Sequence, residues 1–162
     1  MYLILDEWII HDLQNDNGKD KQKESFKFLE KIKKKCDKIV VVKDSKFIKK
    51  IWNFSKIISE KNFDSELRYK FKFLKNCFIK NSQKVEILSN DNIKSNENNE
   101  ILEDFNIDDH YIVLTYLYLK QNNKQTIIIT TDEQLKEKLE KKGLSIKFRE
   151  DFIMEYFNNQ KT

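Results

Sequence analysis

The stretch from Thr126 to Leu135 reads Thr-Ile-Ile-Ile-Thr-Thr-Asp-Glu-Gln-Leu and indicates the fold. Three consecutive isoleucines are typical of a strand buried on both faces, as the central strands of parallel sheets are. The strand ends in Thr-Thr-Asp and runs directly into a charged helical segment, so Asp132 falls at the carboxyl end of a central strand. In open α/β sheets this edge is where ligands bind.

Strand-like and helix-like patterns alternate along the rest of the chain. The first strand covers residues 2–5 or extends as far as residue 10, and residues 14–23 and 91–100 are predicted to be loops. Further strands are predicted at 38–43, 85–88 and 145–148, and helices at 24–35, from 45, from 65, at 108–120, after 132 and at 151–157. This order predicts an α/β fold, a three-layer α/β/α sandwich with a mostly parallel central sheet of about five strands. With no internal repeat and no linker, residues 1–162 are predicted to form a single domain.

The bulk composition excludes several classes of protein. The chain is 39% apolar and 36% charged, and no apolar run approaches the roughly 20 residues of a membrane-spanning helix. The first residues lack the basic segment of a signal peptide, and two His with no Cys cluster make a zinc site improbable. A cytoplasmic protein with no membrane association is therefore predicted.

Charge is distributed unevenly along the chain. Residues 19–61 contain 15 Lys against 6 acidic residues, whereas residues 86–109 contain 8 acidic residues against one Lys. A dipolar surface of this kind suits a polyanion that lies near an acidic, cation-binding site. The alternative is a lysine-rich helix face that is simply solvated.

Four carboxylates are predicted to approach the same edge of the sheet. Asp6 follows the first strand, Asp132 follows the Ile strand, and Asp108 and Asp109 begin the helix that leads into the Ile strand. Carboxylates that share a pocket repel one another unless a cation lies between them, and oxygen ligands select Mg²⁺ or Mn²⁺. Such a site commonly binds a phosphodiester and activates water for its hydrolysis.

Several of these residues also have a purely structural interpretation. Asp132, Asp108 and Asp109 stand where residues that cap helices stand, whereas a charge directly after the buried Leu3-Ile4-Leu5 is costly without a purpose. Trp52 lies on the apolar stripe of its helix, which favours core packing over base stacking.

Four short motifs occur in order along the chain: Ile4-Leu5-Asp6, Asp108-Asp109-His-Tyr-Ile-Val-Leu114, Ile128-Ile-Thr-Thr-Asp132-Glu-Gln-Leu135 and the turn at Gly143. In these motifs the chain resembles the PIN-domain proteins, a family of metal-dependent ribonucleases that includes many toxins. Each motif is short, and the ordered set spans nearly the whole chain. The resemblance implies a Mg²⁺- or Mn²⁺-dependent endoribonuclease that cleaves single-stranded RNA. The residues expected to act in catalysis are Asp6, Asp109, Asp132 and Asp108. Those expected to bind the metal are Asp6, Asp109, Asp132 and Asp44, and those expected to bind RNA are Lys46, Lys49, Lys50 and Lys33.

Two positions depart from the family pattern. Trp8 stands where the family has Asn or a small polar residue, and Lys49 or Lys50 stands where it has Glu, with Asp44 as the nearest substitute. Glu7 is a weaker substitute, because adjacent strand residues point to opposite faces and Glu7 would point away from Asp6. These departures keep open a second interpretation, an inactive PIN-like module that binds RNA or a protein partner. A receiver-like signalling domain is a weaker third. The family resemblance also implies a homodimer and an antitoxin or other protein partner.

Overall fold

The structure, a computed structural model, describes residues 1–60, 64–94 and 99–158. Its five strands form one sheet in which every pair of neighbours is parallel. The strands are β1 (Tyr2–Leu5), β2 (Lys38–Val42), β3 (Val85–Leu88), β4 (Thr126–Thr130) and β5 (Ile146–Phe148), in the order β3-β2-β1-β4-β5. The predicted parallel sheet is confirmed, with β1 and β4 as central neighbours.

Helices cover both faces of this sheet. They are α1 (Trp8–Gln14), α2 (Lys19–Lys34), α3 (Lys46–Glu60), α4 (Ser65–Leu74), α5 (Asn90–Lys94), α6 (Asn99–Leu102), α7 (His110–Gln121), α8 (Glu133–Lys141) and α9 (Arg149–Asn158). A π-helical turn (Lys75–Ile79) follows α4, and a 3-10 turn (Ile107–Asp109) precedes α7. None of the described helices is long and apolar enough to cross a bilayer.

Alternate residues of each strand pack into separate apolar layers. Leu3 and Ile129 pack with apolar side chains of α1, α2, α3, α4 and α9, whereas Ile4 and Ile128 pack with those of α5, α7 and α8. Because successive strand residues point to opposite faces, strands of continuous Val and Ile can fill both layers. The predicted three-layer α/β/α arrangement is therefore confirmed.

The segment after β1 differs from the prediction. β1 ends at Leu5, which confirms the shorter of the two predicted strands, and the chain then forms α1 from Trp8. Residues 19–23, predicted as part of a loop, begin α2. The run Trp8-Ile9-Ile10 is buried along a helix, and an apolar run of this length cannot be assigned by periodicity alone. This change brings Glu7 to the start of a helix instead of the middle of a strand.

Three smaller predictions are also corrected. The predicted loop at 91–100 contains α5, whose Ile93 is buried, and the end of that segment contributes to α6, while residues 95–98 lie outside the described residues. The helix expected from residue 108 begins as α7 at His110. Trp52, expected in the core, is 40% exposed because it lies at the edge of the apolar stripe of α3.

A buried ionic network ties the last helix to the first two. Arg149, 1% exposed, donates through Nε to Oδ2 of Asp12 at 2.8 Å and through Nη2 to Oγ of Ser25 at 2.9 Å. Asp12 also accepts a hydrogen bond from Ser25 at 2.6 Å, and Glu24 pairs with Nη1 of Arg149 at 2.7 Å. These contacts fix α1, the helix that starts directly beside Asp6.

Candidate active site

The register of the two central strands brings the first two candidate residues together. Leu5 of β1 lies opposite Ile129 of β4, and the amide of Asp6 donates to the Ile129 carbonyl at 3.3 Å. Asp6 therefore lies beside Thr130, the last residue of β4. The predicted convergence depended on these strands being neighbours, and the sheet order meets that condition.

Asp6 is held at this edge by two hydrogen bonds. Its Oδ1 accepts from the amide of Glu7 at 2.7 Å, and its Oδ2 accepts from the hydroxyl of Thr130 at 3.1 Å. Both bonds favour the ionised carboxylate, yet burial outweighs them and raises the pKa of Asp6 above its usual range, with Glu7 and Asp132 adding to the rise. The position is therefore electrostatically unfavourable for a carboxylate.

Asp132 combines a structural role with a place in the acidic group. Its Oδ1 accepts from the amide of Leu135 at 3.0 Å, so the helix-capping interpretation is confirmed for α8. Its own amide donates to Oγ1 of Thr130 at 3.0 Å. Thr130 thus joins Asp6 and Asp132 through one buried hydroxyl, and Asp132 contributes to the raised pKa of Asp6.

Asp109 is the third member of this group. It precedes α7, but its side chain makes no capping hydrogen bond, so the capping interpretation is not borne out for this residue. Burial raises the pKa of Asp109, and the charges of Asp6, Asp132 and Asp108 raise it further, whereas Lys138 opposes the rise. Three carboxylates from two strand ends and one helix start therefore lie within electrostatic reach of one another.

Asp108 lies at the rim of the site. It is exposed, and its Oδ1 pairs with Nζ of Lys46 at 2.6 Å. That hydrogen bond, with smaller contributions from Glu7 and Asp109, raises the pKa of Lys46. The first turn of α3 therefore contributes a cation to the acidic edge.

A second lysine of α3 also reaches the site. Nζ of Lys50 forms an ion pair with Oε2 of Glu7 and lies 3.4 Å from Nε2 of His11. His11 is in turn bound through Nδ1 to Oδ2 of Asp16 at 2.8 Å. Of the two lysines at the position where the family has Glu, Lys50 therefore faces the site, while Lys49 is exposed to solvent.

The described contacts do not join the remaining predicted residues, Asp44 and Lys33, to this group. Asp44 is an exposed residue of the turn before α3 with φ of +66°, and it is not among the charges described as acting on Asp6 or Asp109. Ser45 caps α3 instead, because its Oγ accepts from the amide of Ile48 at 3.3 Å. Lys33 lies on α2, with its Nζ 5.2 Å from the ring centroid of Phe73.

Sequence reasoning missed two residues of the site. Strand alternation suggested that Glu7 would point away from Asp6, but Glu7 follows the strand and its charge acts on Asp6. Tyr111, in the first turn of α7, has its pKa raised by burial and then by Asp6 and Glu7, which keeps the phenol protonated. Tyr111 could have been predicted near the site from the sequence, because it follows Asp109 by two residues at the start of a predicted helix.

The structure accounts for Trp8, the first departure from the family pattern. The indole is buried, and its Nε1 donates to the carbonyl of Ile129 at 2.9 Å. The guanidinium of Arg149 lies 5.2 Å from the ring centroid. Trp8 is therefore a core residue whose indole is hydrogen-bonded to the backbone near the end of β4.

The residues present fit a hard cation in chemical type, because Asp6, Asp109 and Asp132 supply carboxylate oxygens whose repulsion a divalent ion would relieve. Within residues 1–60, 64–94 and 99–158, no group of three or more His, Cys, Asp or Glu side chains is close enough together to hold a metal ion. One oxygen of Asp132 caps α8, and both oxygens of Asp6 accept hydrogen bonds. Tight coordination would therefore require the side chains to move closer together.

Comparison with protein-family models finds no family that matches the sequence, and comparison with curated proteins finds no match either.

Proposed function

We propose that the protein is a metal-dependent endoribonuclease of the PIN-like type that cleaves single-stranded RNA at the carboxyl edge of β1 and β4. The observation that carries this proposal is the gathering of Asp6, Asp109 and Asp132 at one edge of the sheet, where burial first, and then the charges of neighbouring carboxylates, raise the pKa of Asp6 and of Asp109. Carboxylates are rarely gathered where burial disfavours their charge unless the site has a function.

Asp6, Asp109 and Asp132 would hold the metal, with Asp108 at the rim. A bound Mg²⁺ or Mn²⁺ would neutralise these carboxylates and polarise the scissile phosphodiester. Thr130 orients Asp6 through its hydroxyl, and Asp132 is fixed by the first turn of α8. The neutral phenol of Tyr111 is a hydrogen-bond donor beside the same carboxylates.

Three lysines of α3 have a role in this proposal. Lys46 and Lys50 now pair with Asp108 and Glu7. When RNA binds, a phosphate oxygen would replace Asp108 or Glu7 as the ion-pair partner of one of these lysines. The lysines would then bind the RNA backbone beside the metal. Lys49, exposed between them, would contact the strand from solvent.

Cleavage of a labelled single-stranded RNA tests this proposal. The wild-type protein is expected to cleave with Mn²⁺ or Mg²⁺ and to stop in EDTA. Asp132→Asn is expected to lose cleavage, and Glu133→Gln, which removes the neighbouring exposed carboxylate in the first turn of the same helix, should retain it. Cleavage that survives in Asp132→Asn would contradict the proposal.

A second candidate function, an inactive PIN-like module that binds RNA or a protein partner, is favoured by a separate observation. Lys50 neutralises Glu7 at the position where the family has Glu, so the acidic group is partly compensated without a metal. This candidate predicts RNA binding that EDTA does not change and that Asp6→Asn does not weaken. A homodimer and a partner such as an antitoxin stay predictions for either function.

A further inference from the structure

A groove separates α3 from α4 on the part of the fold that the acidic site does not use. Its volume is about 350 Å³, which is at the lower end of the range for small-ligand pockets. It is lined by Ser55, Ile58 and Ser59 of α3, by Arg68, Phe71 and Lys72 of α4, and by Lys75 of the π-helical turn.

The lining residues favour an anion. Arg68, Lys72 and Lys75 are spaced at i, i+4 and i+7, so they share one face of the continuous α4 and π-helical turn. None of the seven described lining residues carries a carboxylate. The floor is apolar, because Ile58 and Phe71 are buried.

One polar atom of the groove lacks a hydrogen-bond partner among the residues that the structure describes. Oγ of Ser55 is a buried side-chain oxygen for which the described residues provide no hydrogen bond. A buried hydroxyl that is left unsatisfied is unfavourable, so a ligand oxygen at this position would be stabilising.

An exposed aromatic residue lies at the rim of the groove. Trp52 is 40% exposed, and Nζ of Lys75 lies 4.8 Å from its ring centroid. An exposed indole next to a cation is the arrangement on which a nucleic-acid base stacks while its phosphate is bound. Stacking needs an unpaired base, which favours a single strand over a duplex.

We propose that this groove binds a segment of single-stranded RNA, with one base on Trp52 and its phosphates on Ser55, Lys72 and Lys75. The identity of the strand as RNA rests on the proposed function, whereas binding at the groove does not require cleavage. Lys46, Lys49 and Trp52 are successive i+3 neighbours on α3, and all three are exposed. They form a track of on the order of 9 Å along the helix axis from the acidic edge to the groove.

Binding of a fluorescein-labelled 12-nucleotide oligouridylate, measured by anisotropy in EDTA at several salt concentrations, tests this proposal. Lys72→Gln/Lys75→Gln is expected to weaken binding and to reduce the slope of log K against log salt by about 1.4, since each phosphate contact on a single strand contributes about 0.7. Lys23→Gln/Lys27→Gln removes the same charge from exposed positions on α2 and should leave the slope nearly unchanged.

Two single substitutions test the base and the hydroxyl separately. Trp52→Leu is expected to weaken binding about tenfold and to abolish quenching of tryptophan fluorescence by RNA, because the other tryptophan, Trp8, is buried. Ser55→Ala is expected to weaken binding about two- to tenfold without lowering the melting temperature, which distinguishes a ligand contact from a structural one.

The outcomes separate this proposal from the cleavage proposal. Equal losses of RNA affinity in the two lysine double variants, or an unchanged affinity in Trp52→Leu, would contradict RNA binding at the groove. This conclusion would hold even if the protein cleaves RNA with Mn²⁺. Suppose that the wild-type protein never cleaves RNA, and that RNA binding depends on the groove residues and is retained by Asp132→Asn. That result would support RNA binding at the groove and would contradict the nuclease proposal. Equal affinity for the matching single-stranded DNA would overturn the assignment to RNA.

Discussion

The hydroxyl of Thr130 donates a hydrogen bond to Oδ2 of Asp6 at 3.1 Å and so links the ends of the two central strands. The hydroxyl oxygen of Thr130 also accepts a hydrogen bond from the amide of Asp132 at 3.0 Å. One buried side chain therefore sets the positions of two of the three carboxylates at the candidate active site. The third, Asp109, comes from the start of α7 and depends on the packing of that helix instead.

Thr130→Val tests this linkage, because valine keeps the shape and removes the hydroxyl. We expect RNA cleavage to fall at least tenfold, since Asp6 loses its hydrogen-bond donor and the Asp132 amide loses its acceptor. The matched control is Thr126→Val, at the other end of β4, where a buried hydroxyl donates to the carbonyl of Lys124. Equal losses of cleavage in the two variants, measured in single turnover, would contradict a positioning role for Thr130.

Asp6→Asn is expected to stabilise the protein at neutral pH. The pKa of Asp6 is raised by burial, so between the ordinary carboxyl pKa and the raised value the folded protein binds more protons than the unfolded chain. Stability therefore falls as the pH rises through that window, and the loss persists above it. An uncharged Asn avoids this loss.

We expect Asp6→Asn to raise the free energy of unfolding at pH 7 by about 0.5–2 kcal/mol, the size of a typical stabilising substitution, and to raise it less at pH 4. Urea denaturation at the two pH values measures the difference. Glu103→Gln, which neutralises an exposed carboxylate, is the control. A loss of stability at pH 7 would indicate instead that the hydrogen bonds to Asp6 make it a structural residue.

Lys50→Glu tests the second departure from the family pattern. Lys50 faces the acidic edge through Glu7, so a carboxylate at this position would add an oxygen ligand where a cation now lies. We expect at least tenfold tighter Mn²⁺ binding, measured by titration calorimetry. Lys49→Glu, the same charge change on the exposed side of α3, should alter Mn²⁺ affinity much less. Similar affinities for the two variants would show that net charge, and not the position of residue 50, controls metal binding.

Arg149→Met tests the buried network behind the site. It leaves the carboxylate of Asp12 buried without its charged partner, which typically costs about 3–5 kcal/mol of folding free energy. The Asp12→Leu/Arg149→Met double variant should recover part of that loss. Lys147→Met, in a largely exposed pair with Glu155, should cost less than about 1 kcal/mol by urea denaturation. An Arg149→Met protein as stable as the wild type would contradict the importance of this network.

The sequence predicts the sheet well because strands buried on both faces have a strong pattern. Ile39-Val-Val-Val42 and Ile127-Ile-Ile129 are continuous apolar runs, and their alternation with helices required a parallel sheet. The carboxylates Asp6 and Asp132 followed from the same reasoning, because parallel strands bring their carboxyl ends to one edge.

Other features depend on tertiary contacts that no local pattern carries. The segment from Trp8 to Leu13 is apolar enough for a strand or a helix, and the charge of the buried Asp12 within it is balanced by Arg149, far along the chain. Whether Lys49 or Lys50 faces the site depends on how α3 rotates against the sheet. For Trp52, the position around the helix relative to the sheet decides between core and surface.

Binding of Mn²⁺ to the wild-type protein, followed by electron paramagnetic resonance, tests the central claim most directly. We expect saturable binding that is weakened at least tenfold by each of Asp6→Asn, Asp109→Asn and Asp132→Asn, and left unchanged by Asp44→Asn, because Asp44 is not among the charges described as acting on Asp6 or Asp109. We also expect Mn²⁺ to raise the melting temperature of the wild-type protein and of Asp44→Asn by similar amounts, and to raise that of the other three variants much less at the same concentration. No saturable binding, or binding that all three aspartate variants retain, would contradict a metal site at this edge of the sheet.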